Sequence, residues 1–304
     1  PRLSLTAVLS AHEAGQPTAP YFFASGPEVF THPEAFDPHT VDVILTSGSA
    51  KQAFPALLSW AEAGCRIIDL SADFRFADVR RYESAYGPHP APHLLSASVS
   101  GYADDCAMEY KAAQIIGNPG CYPTAFFSAV APLVHMGMKP ELLMVDGKSG
   151  VTGAGRLPKV SLMLAEMSEN FAPYALPGRH RHTLEMEDVA HTAVVFQPHL
   201  LPVARGLELT IFWGNAEISA EQVRRQWRQY FEWTPFVQVL PEGSYPHVAR
   251  VQKTNMVELQ AAVDDRTQTL VLTAAIDNLG KGAAGQAIEH LNRWMGWPLE
   301  WGLD

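Results

Sequence analysis

The chain reads Gly117-Asn118-Pro119-Gly120-Cys121-Tyr122-Pro123-Thr124-Ala125 where a short apolar stretch gives way to a long one. Residues 113–116 predict a buried strand, and residues 125–136 predict a mostly buried helix. Pro119 and Gly120 favour a turn between the two, which places Cys121 at or just before the helix N-terminus. Unpaired N–H groups and the helix dipole stabilise a thiolate there, so the pattern predicts a cysteine nucleophile. The competing interpretation is a small residue that packs in the core.

Upstream of this run, the sequence predicts a parallel strand–helix–strand unit. Residues 41–46 predict a strand, residues 50–63 a helix that Gly64 ends, and residues 66–70 the next strand. Such a unit implies a parallel pair with a right-handed crossover. The segments after the two strands, 47–49 and 71–73, then share the sheet edge at which open α/β sheets bind ligands. Residues 3–9 predict a further strand, and residues 11–40 predict a loop-rich segment.

Downstream, the pattern changes to strands separated by turns. Strands are predicted at 141–148, 193–197, 207–213, 236–240, 257–263 and 270–275. Turns such as Asp264-Asp265 suit an antiparallel sheet. Ser219 and Gln222 predict a capping box that opens a helix to about residue 232. A last helix is predicted from about 282 to 294. We place a domain boundary near residue 120 and expect the last helix to return to the first domain.

Composition excludes several classes of protein. The chain has 304 residues, 47% hydrophobic and 18% charged, which suffices for two domains and argues against disorder. A formal net charge of −10 without a basic cluster argues against a nucleic-acid partner. The longest apolar run is too short for a membrane span, so no membrane partner is expected. Three widely spaced cysteines indicate free thiols in a reducing cytoplasm.

A polar cluster downstream supplies partners for a cysteine nucleophile. It consists of Tyr174, the run Arg179-His180-Arg181-His182, and Glu185. One histidine there would carry protons, and Glu185 would orient it in a triad-like set. Two alternatives stay open. The segment is also compatible with an exposed polar loop, or with a metal site that uses the His-x-His spacing and needs further ligands.

Two glycine-rich loops predict close backbone approach to a ligand. The first spans residues 148–156, where backbone N–H groups suit an anion and Arg156 suits a phosphate or carboxylate. The second spans residues 278–286 and precedes the last helix, whose N-terminus suits an anion or a polar cofactor edge. Ordinary turns and tight helix packing use the same residues, so that alternative stays open for each loop.

Five segments together resemble the N-acetyl-gamma-glutamyl-phosphate reductases, a family of aldehyde-forming dehydrogenases that use a cysteine thioester. The segments are 69–75, 117–124, 149–156, 180–185 and 277–286, in this order. The resemblance implies NADPH-dependent reductive dephosphorylation of N-acetyl-gamma-glutamyl phosphate to the semialdehyde, in arginine biosynthesis, through a thioester on Cys121. It implies a homodimer or homotetramer in the cytoplasm that acts on a small acyl phosphate.

The resemblance also implies the fold. The expected class is α/β, with an incomplete Rossmann-type dinucleotide-binding domain formed by residues 1–120 and 277–304. Residues 121–276 would form an α+β catalytic and oligomerisation domain with a mixed, mostly antiparallel sheet.

Individual residues receive roles from the same resemblance. Cys121, His180, Glu185 and Tyr174 would be catalytic, with His180 as the acid/base. NADP would be bound by Ser10, Ser47, Gly48, Ser71, Asn278, Gly280 and Lys281. The acyl phosphate would be bound by Asn118, Ser149, Gly150, Arg156, His182 and Arg75. No metal is implied.

Two departures from the family bear on the cofactor. The family begins with a strand, a Gly-x-x-Gly-x-x-Gly loop and a helix, and residues 3–9 match its second strand. We therefore expect a preceding segment that this sequence lacks. Ser10-Ala11-His12 stands where the family often has an arginine near the ribose 2′-phosphate, so NADP rather than NAD rests on the family alone.

Three other functions stay open at this point. The first is a lysine-pathway reductase that acts on a carrier-bound aminoadipyl phosphate. The second is a cysteine acyl-transferase or hydrolase without a nicotinamide cofactor. The third is a non-catalytic subunit that keeps only the oligomer-forming sheet.

Overall fold

A computed structural model describes residues 3–21, 26–47, 54–110, 112–154, 159–175 and 178–303. The strands are β1 Val43–Thr46, β2 Arg66–Asp69, β3 Ser98–Ser100, β4 Ile115–Gly117, β5 Leu142–Gly150, β6 Ala172–Pro173, β7 Ala193–Leu201, β8 Leu207–Gly214, β9 Val237–Val239, β10 Val257–Asp264 and β11 Thr269–Ile276. The helices are α1 Phe54–Glu62, α2 Val79–Tyr86, α3 Cys121–His135, α4 Leu164–Met167, α5 His182–Ala190, α6 Ala220–Tyr230, α7 Val248–Val251 and α8 Gly285–Met295. A π-helical turn, Gly280–Ala284, precedes α8.

The first sheet is parallel and has helices on both faces. Its strand order is β1-β2-β4-β3, and every neighbouring pair is parallel. Successive side chains of a strand point to opposite faces. Ile67 therefore packs on the α1 side, whereas Ile68 packs with Ala287 and Leu291 of α8. Burial on both faces explains why β2 and β4 each carry two adjacent isoleucines. The last helix, α8, packs on this sheet.

The prediction of a strand at residues 3–9 is wrong. Residues 3–8 adopt no strand, and only Leu9 forms a β-bridge, with Thr31. Leu3 is 60% exposed. A strand needs a neighbour that takes its hydrogen bonds, and weak apolar alternation does not provide one. Sequence reasoning also missed α2, which begins where the Asp78 side chain accepts a hydrogen bond from the Arg80 N–H.

The second sheet is mixed and mostly antiparallel, as predicted. Its order is β6-β7-β5-β8-β11-β10-β9, with β5/β7 and β9/β10 parallel. Helices α3, α5 and α6 cover one face through Phe126, Met186 and Trp227. The Trp227 indole N–H donates to the Ala129 carbonyl at 2.9 Å. The predicted capping box of Ser219 and Gln222 is present at the start of α6.

The other face of this sheet carries an exposed apolar patch, which we define as Leu142, Met144, Val195 and Phe212. Met144 lies directly opposite Val195 on β7 and Phe212 on β8. Met144 and Val195 are 52% and 50% exposed. A contiguous apolar patch of this kind is typical of a protein–protein interface. Among the described residues, none of the helices is both long and apolar enough to cross a membrane.

The link between the two sheets is short and follows β4. The chain leaves the first sheet at Gly117, turns through Asn118–Gly120 and enters α3, which packs in the core of the second sheet. A Cβ at Gly117 would overlap the Phe74 carbonyl. Glycine is therefore needed where the backbone approaches the segment after β2.

We predict that Gly117→Ala lowers the free energy of unfolding by about 1–3 kcal/mol, because the methyl group must displace backbone atoms. Gly214→Ala is the control, since a Cβ there meets nothing within 4 Å. Thermal unfolding followed by circular dichroism measures both. Equal melting temperatures for the two variants would contradict the close approach at Phe74.

Candidate active site

Cys121 is the first residue of α3, as the sequence predicted, and Gly120 is the N-cap. The Gly120 N–H donates to Glu185 Oε2 at 2.9 Å, so a buried carboxylate from α5 holds the turn before the cysteine. The Gly120 carbonyl accepts hydrogen bonds from the backbone and hydroxyl of Thr124. The thiol therefore stands on a turn that is fixed from both sides.

Arg75 holds this turn from the side of the first sheet. Its guanidinium donates to Glu185 Oε1 at 3.1 Å, to the Asn118 carbonyl at 2.9 Å and to the Leu70 carbonyl at 2.8 Å. The resemblance assigned Arg75 to substrate binding. The structure instead commits three of its donors to the protein, so its side chain positions Glu185 and the residues before Cys121.

His182 is the histidine that lies beside the cysteine turn. Its ring packs so closely on Gly120 that a Cβ there would lie 2.6 Å from Cε1. Its Nε2 is 4.0 Å from Glu185 Oε1, and its buried Nδ1 has no hydrogen-bond partner among the described residues. Burial, and then the charge of Arg75, lowers the pKa of His182 to about 3. The imidazole is therefore neutral near pH 7 and able to accept a proton.

His180, which the resemblance made the acid/base, lies in an aromatic box. Its ring centroid is 5.7 Å from Tyr174, 5.8 Å from Tyr122 and 5.2 Å from Phe196. Its Nδ1 accepts the His182 backbone N–H at 3.2 Å. Burial lowers the pKa of His180 to about 3 and raises that of Tyr174 to about 12. The box therefore presents a neutral imidazole and an un-ionised phenol.

The expectation of a resting thiolate at Cys121 is wrong. Burial raises the pKa of the thiol to about 11, and this effect outweighs the stabilisation by the Tyr122 backbone N–H and Arg75. A helix N-terminus alone favours the thiolate, but it does not offset the loss of water around the sulfur. The site therefore pairs a neutral thiol with neutral imidazoles.

The second glycine-rich loop reaches Cys121 directly. A Cβ at Gly282 would lie 2.7 Å from the Cβ of Cys121. Asn278 joins this loop to the first one, because its Oδ1 accepts the Gly206 N–H and its Nδ2 donates to the Thr152 hydroxyl. Gly280 abuts the Thr254 carbonyl. The loop is therefore tightly packed beside the cysteine.

The first glycine-rich loop adjoins the same region through Ser149 and Gly150. The buried Ser149 hydroxyl donates to the Gly150 carbonyl at 3.1 Å, and the Gly150 N–H donates to the Gly206 carbonyl. A Cβ at Gly153 would lie 3.3 Å from Ser149 Oγ and 3.5 Å from Asn278 Nδ2. The two loops, predicted separately, thus meet.

Lys281 departs from its predicted role. Its side chain is fully buried, and its ammonium contacts Asp104 Oδ2 at 2.6 Å and Glu289 Oε1 at 2.7 Å. An ammonium paired in the interior does not reach a cofactor phosphate.

The remaining cofactor candidates follow the strand ends. Ser47 follows β1 and Ser71 follows β2, so they share the carboxyl edge of the sheet. Asn118, which the resemblance assigned to the acyl phosphate, follows β4 at the same edge. The Ser71 hydroxyl donates to Asp69 Oδ2 at 2.5 Å. Ser10 lies in a separate loop that pairs with Thr31. Gly48 and Arg156 lie outside the described residues.

The metal alternative finds no support in the described part of the chain, where His, Cys, Asp and Glu form no group of three suited to an ion.

Two contributors to the site were missed. Tyr122 follows Cys121 directly, and its position in the motif was the available signal. Gln286 donates to Thr124 Oγ1 at 2.9 Å, across a sequence separation that no local pattern reports.

Family models match both parts of the chain. "Semialdehyde dehydrogenase, NAD binding domain" matches residues 1–169, and "Semialdehyde dehydrogenase, dimerisation domain" matches residues 121–278. A solved aspartate semialdehyde dehydrogenase II from Vibrio cholerae, complexed with ASA, has a TM-score of 0.72 at 18% identity and covers 95% of this chain and 89% of its own. The Candida albicans enzyme with NADP has a TM-score of 0.69 at 15% identity, with coverages of 95% and 90%. The fold is thus that of a two-domain dehydrogenase, as the sequence predicted.

Sequence relatives narrow this class. An N-acetyl-gamma-glutamyl-phosphate reductase from Geobacter metallireducens is 35% identical over 100% of this chain and 91% of its own length. A reductase of the same name from Symbiobacterium thermophilum is 42% identical over 86% of this chain and 78% of its own. The chain therefore belongs to the semialdehyde dehydrogenase family and, within it, to the N-acetyl-gamma-glutamyl-phosphate reductases.

We predict that alkylation of Cys121 by iodoacetamide keeps accelerating from pH 7 to about pH 10 in the ligand-free protein. The reason is that burial raises the pKa of this thiol to about 11, so the reactive thiolate fraction grows over the whole range. Mass spectrometry of the Cys121 peptide measures the rate separately from Cys106, which is exposed. A rate plateau below pH 8.5 would contradict the raised pKa of the Cys121 thiol.

Proposed function

We propose that this chain reduces N-acetyl-gamma-glutamyl phosphate to N-acetylglutamate semialdehyde with NADPH, in arginine biosynthesis, through a thioester on Cys121. The observation that carries the proposal is the placement of Cys121 on a fixed helix N-terminus between Gly282 and the His182–Glu185 pair. The name shared by its relatives identifies the substrate class.

Formation of the thioester uses the neutral thiol and a neutral imidazole. His182 accepts the thiol proton as the sulfur attacks the acyl carbon; the new S–C bond forms, the C–O bond to phosphate breaks, and phosphate leaves. The imidazolium is then close to Glu185, whose Oε1 lies 4.0 Å from Nε2. The backbone N–H groups at the start of α3 stabilise the oxyanion that develops on the acyl oxygen.

We assign the acid/base role to His182 rather than His180. His182 contacts the residue before the nucleophile and approaches Glu185, whereas His180 is enclosed by Tyr122, Tyr174 and Phe196. His180 and Tyr174, with Ser149 and Gly150 nearby, would line the pocket for the acyl group. A base must come within hydrogen-bond reach of the proton it takes, and the contact of His182 with Gly120, the residue before Cys121, supports this assignment.

The residues at the carboxyl edge of the first sheet fit a nicotinamide cofactor. Asn118 Oδ1 is buried and has no hydrogen-bond partner among the described residues, so it suits an amide donor such as the nicotinamide carboxamide. Ser47 and Ser71 would face the rest of the cofactor at the strand ends. NADPH, when bound, supplies the hydride that turns the thioester into a thiohemiacetal.

The test is phosphate-dependent oxidation of N-acetylglutamate semialdehyde with NADP. Cys121→Ala should abolish turnover, and His182→Asn should lower kcat by about 10²–10⁴-fold because it removes the proton acceptor. His180→Asn should chiefly raise KM. The matched control is His191→Asn at the end of the same helix, where His191 has φ 52°, a conformation that asparagine tolerates.

Each alternative has a distinct outcome when the reaction is followed in both directions. Cys121-dependent turnover of the aminoadipyl substrate in place of the acetylglutamyl one would identify the lysine-pathway reaction. With the acyl phosphate as substrate, release of phosphate without oxidation of NADPH would identify a hydrolase. Turnover that survives Cys121→Ala would exclude the thioester mechanism.

We also propose that the chain forms a homodimer or homotetramer through the outer face of the second sheet. The apolar patch spans three adjacent strands. Farther along β5, Lys148 forms ion pairs with Asp146 on the same strand and with Glu208 on β8. The dimerisation-domain model covers all of these residues. The proposed division is residues 1–120 with 277–304 for the cofactor and residues 121–276 for catalysis and assembly. The three free thiols suit the reducing cytoplasm.

We predict that Met144→Glu converts the oligomer to monomer, because the patch would then bury an unpaired charge opposite Val195 and Phe212. Light scattering after size-exclusion chromatography measures the mass. Tyr245→Glu is the control, since Tyr245 is 69% exposed and lies in the loop between β9 and α7, outside the strands that form the patch. An unchanged mass for Met144→Glu would place the interface elsewhere.

A further inference from the structure

A buried ion cluster lies behind the turn that contacts Cys121. We define it as Lys281, Asp104 and Glu289. The Lys281 ammonium is 2.6 Å from Asp104 Oδ2 and 2.7 and 2.8 Å from the two Glu289 oxygens. All three side chains are almost fully buried. One cation therefore joins two carboxylates in the interior, where each charge depends on its partners.

The cluster connects segments that are distant in the sequence. Asp104 belongs to the loop between β3 and β4 and accepts the Thr234 hydroxyl at 2.9 Å. Glu289 belongs to α8 and accepts from the Asn255 amide. The ammonium also lies 5.3 Å from the ring centroid of Phe236. Lys281 is thus the point at which the second sheet's loops, α8 and the β3–β4 loop meet.

The backbone around Lys281 is the π-turn Gly280–Ala284. Its neighbour Gly282 donates its N–H to the Asp277 carbonyl at 2.9 Å and faces Cys121, where a Cβ would lie 2.7 Å from Cβ and 3.1 Å from Cα of the cysteine. Gly285, at the end of the turn, packs on the Asn255 amide oxygen. A movement of the Lys281 backbone would therefore change the contact with the cysteine directly. π-Helical turns are frequent at functional sites.

We propose that Lys281 is a positioning residue for the nucleophile, and that its pairing with Asp104 and Glu289 holds the π-turn against Cys121. The inference rests on the proposed function for its catalytic meaning, but the effect on the thiol exists without substrate or cofactor. The ammonium acts on the sulfur through the Gly282 backbone and never touches the reacting atoms.

Gln286 forms hydrogen bonds that hold α3 in place beside the ion cluster, and the proposed role of Lys281 requires a fixed α3. Its Oε1 accepts the Ala103 N–H and its Nε2 donates to Thr124 Oγ1 in the first turn of α3. The β3–β4 loop, α8 and α3 are therefore connected next to the ion cluster. Because α3 is held on this side, release of Lys281 would move the π-turn away from Cys121 rather than move both together.

The test measures the alkylation rate of Cys121 against pH in the full-length, ligand-free protein. Lys281→Met keeps the length of the side chain and removes the charge. We expect alkylation at pH 9 to become about tenfold faster, because the loosened turn admits water to the sulfur and the thiolate fraction rises. Glu289→Gln keeps the shape of the cluster and should shift the profile in the same direction by a smaller factor. Lys139→Met, at an exposed lysine, is the matched control.

Circular dichroism and melting temperature accompany each profile. A lysine that is merely structural would lower the melting temperature of the variants and leave the thiol profile of the folded protein unchanged, and that result overturns the proposal. If Lys281→Met does not fold, Glu289→Gln decides by the same criterion. Failure of the reductase assay in the wild-type protein would overturn the proposed function alone, since the alkylation rate needs neither substrate nor cofactor.

Discussion

The arrangement of the site depends on the hydrogen bonds that the Glu185 carboxylate accepts. One of its oxygens accepts the Gly120 N–H and the other the Arg75 guanidinium. Arg75 in turn binds the carbonyls at the ends of β2 and of the Asn118 turn. A buried carboxylate without these donors would be strongly unfavourable. The same group therefore joins the first sheet, the cysteine turn and α5, and it brings His182 to the turn with it.

Burial sets the protonation states of the reacting groups. It raises the pKa of Cys121 to about 11 and lowers the pKa of His182 to about 3. These directions are opposite because desolvation always disfavours the charged form. The resting site therefore holds a thiol and a free base instead of an ion pair. In the mechanism proposed above, proton transfer accompanies attack on the substrate, and the low polarity that disfavours ionisation of the thiol also strengthens each hydrogen bond to the developing charge.

Local patterns predicted most elements, and they failed where a distant partner decides. The sequence predicts strands at the isoleucine pairs of β2 and β4, and it predicts the capping box of α6. Each of these patterns consists of residues that are close together in the chain. Residues 3–9 have strand-like alternation but pair with the chain only at Leu9. Lys281 resembled a cofactor ligand, yet Asp104 and Glu289 enclose it. Arg75 resembled a substrate ligand, yet its guanidinium forms an ion pair with Glu185. Glu185 lies on α5, a helix that the sequence had not predicted.

By itself, the sequence determined the place of Cys121 at a helix start, the α/β class and the family, because these depend on short runs of residues with local causes. Only the tertiary structure decided which histidine packs on the turn before Cys121, the neutral state of the thiol, and the burial of Lys281. Each of those depends on how much water is removed and on charges contributed by remote segments. Cys121 and Gly282 are in contact although most of the second domain lies between them in the sequence. The packing of the folded chain brings the two residues together.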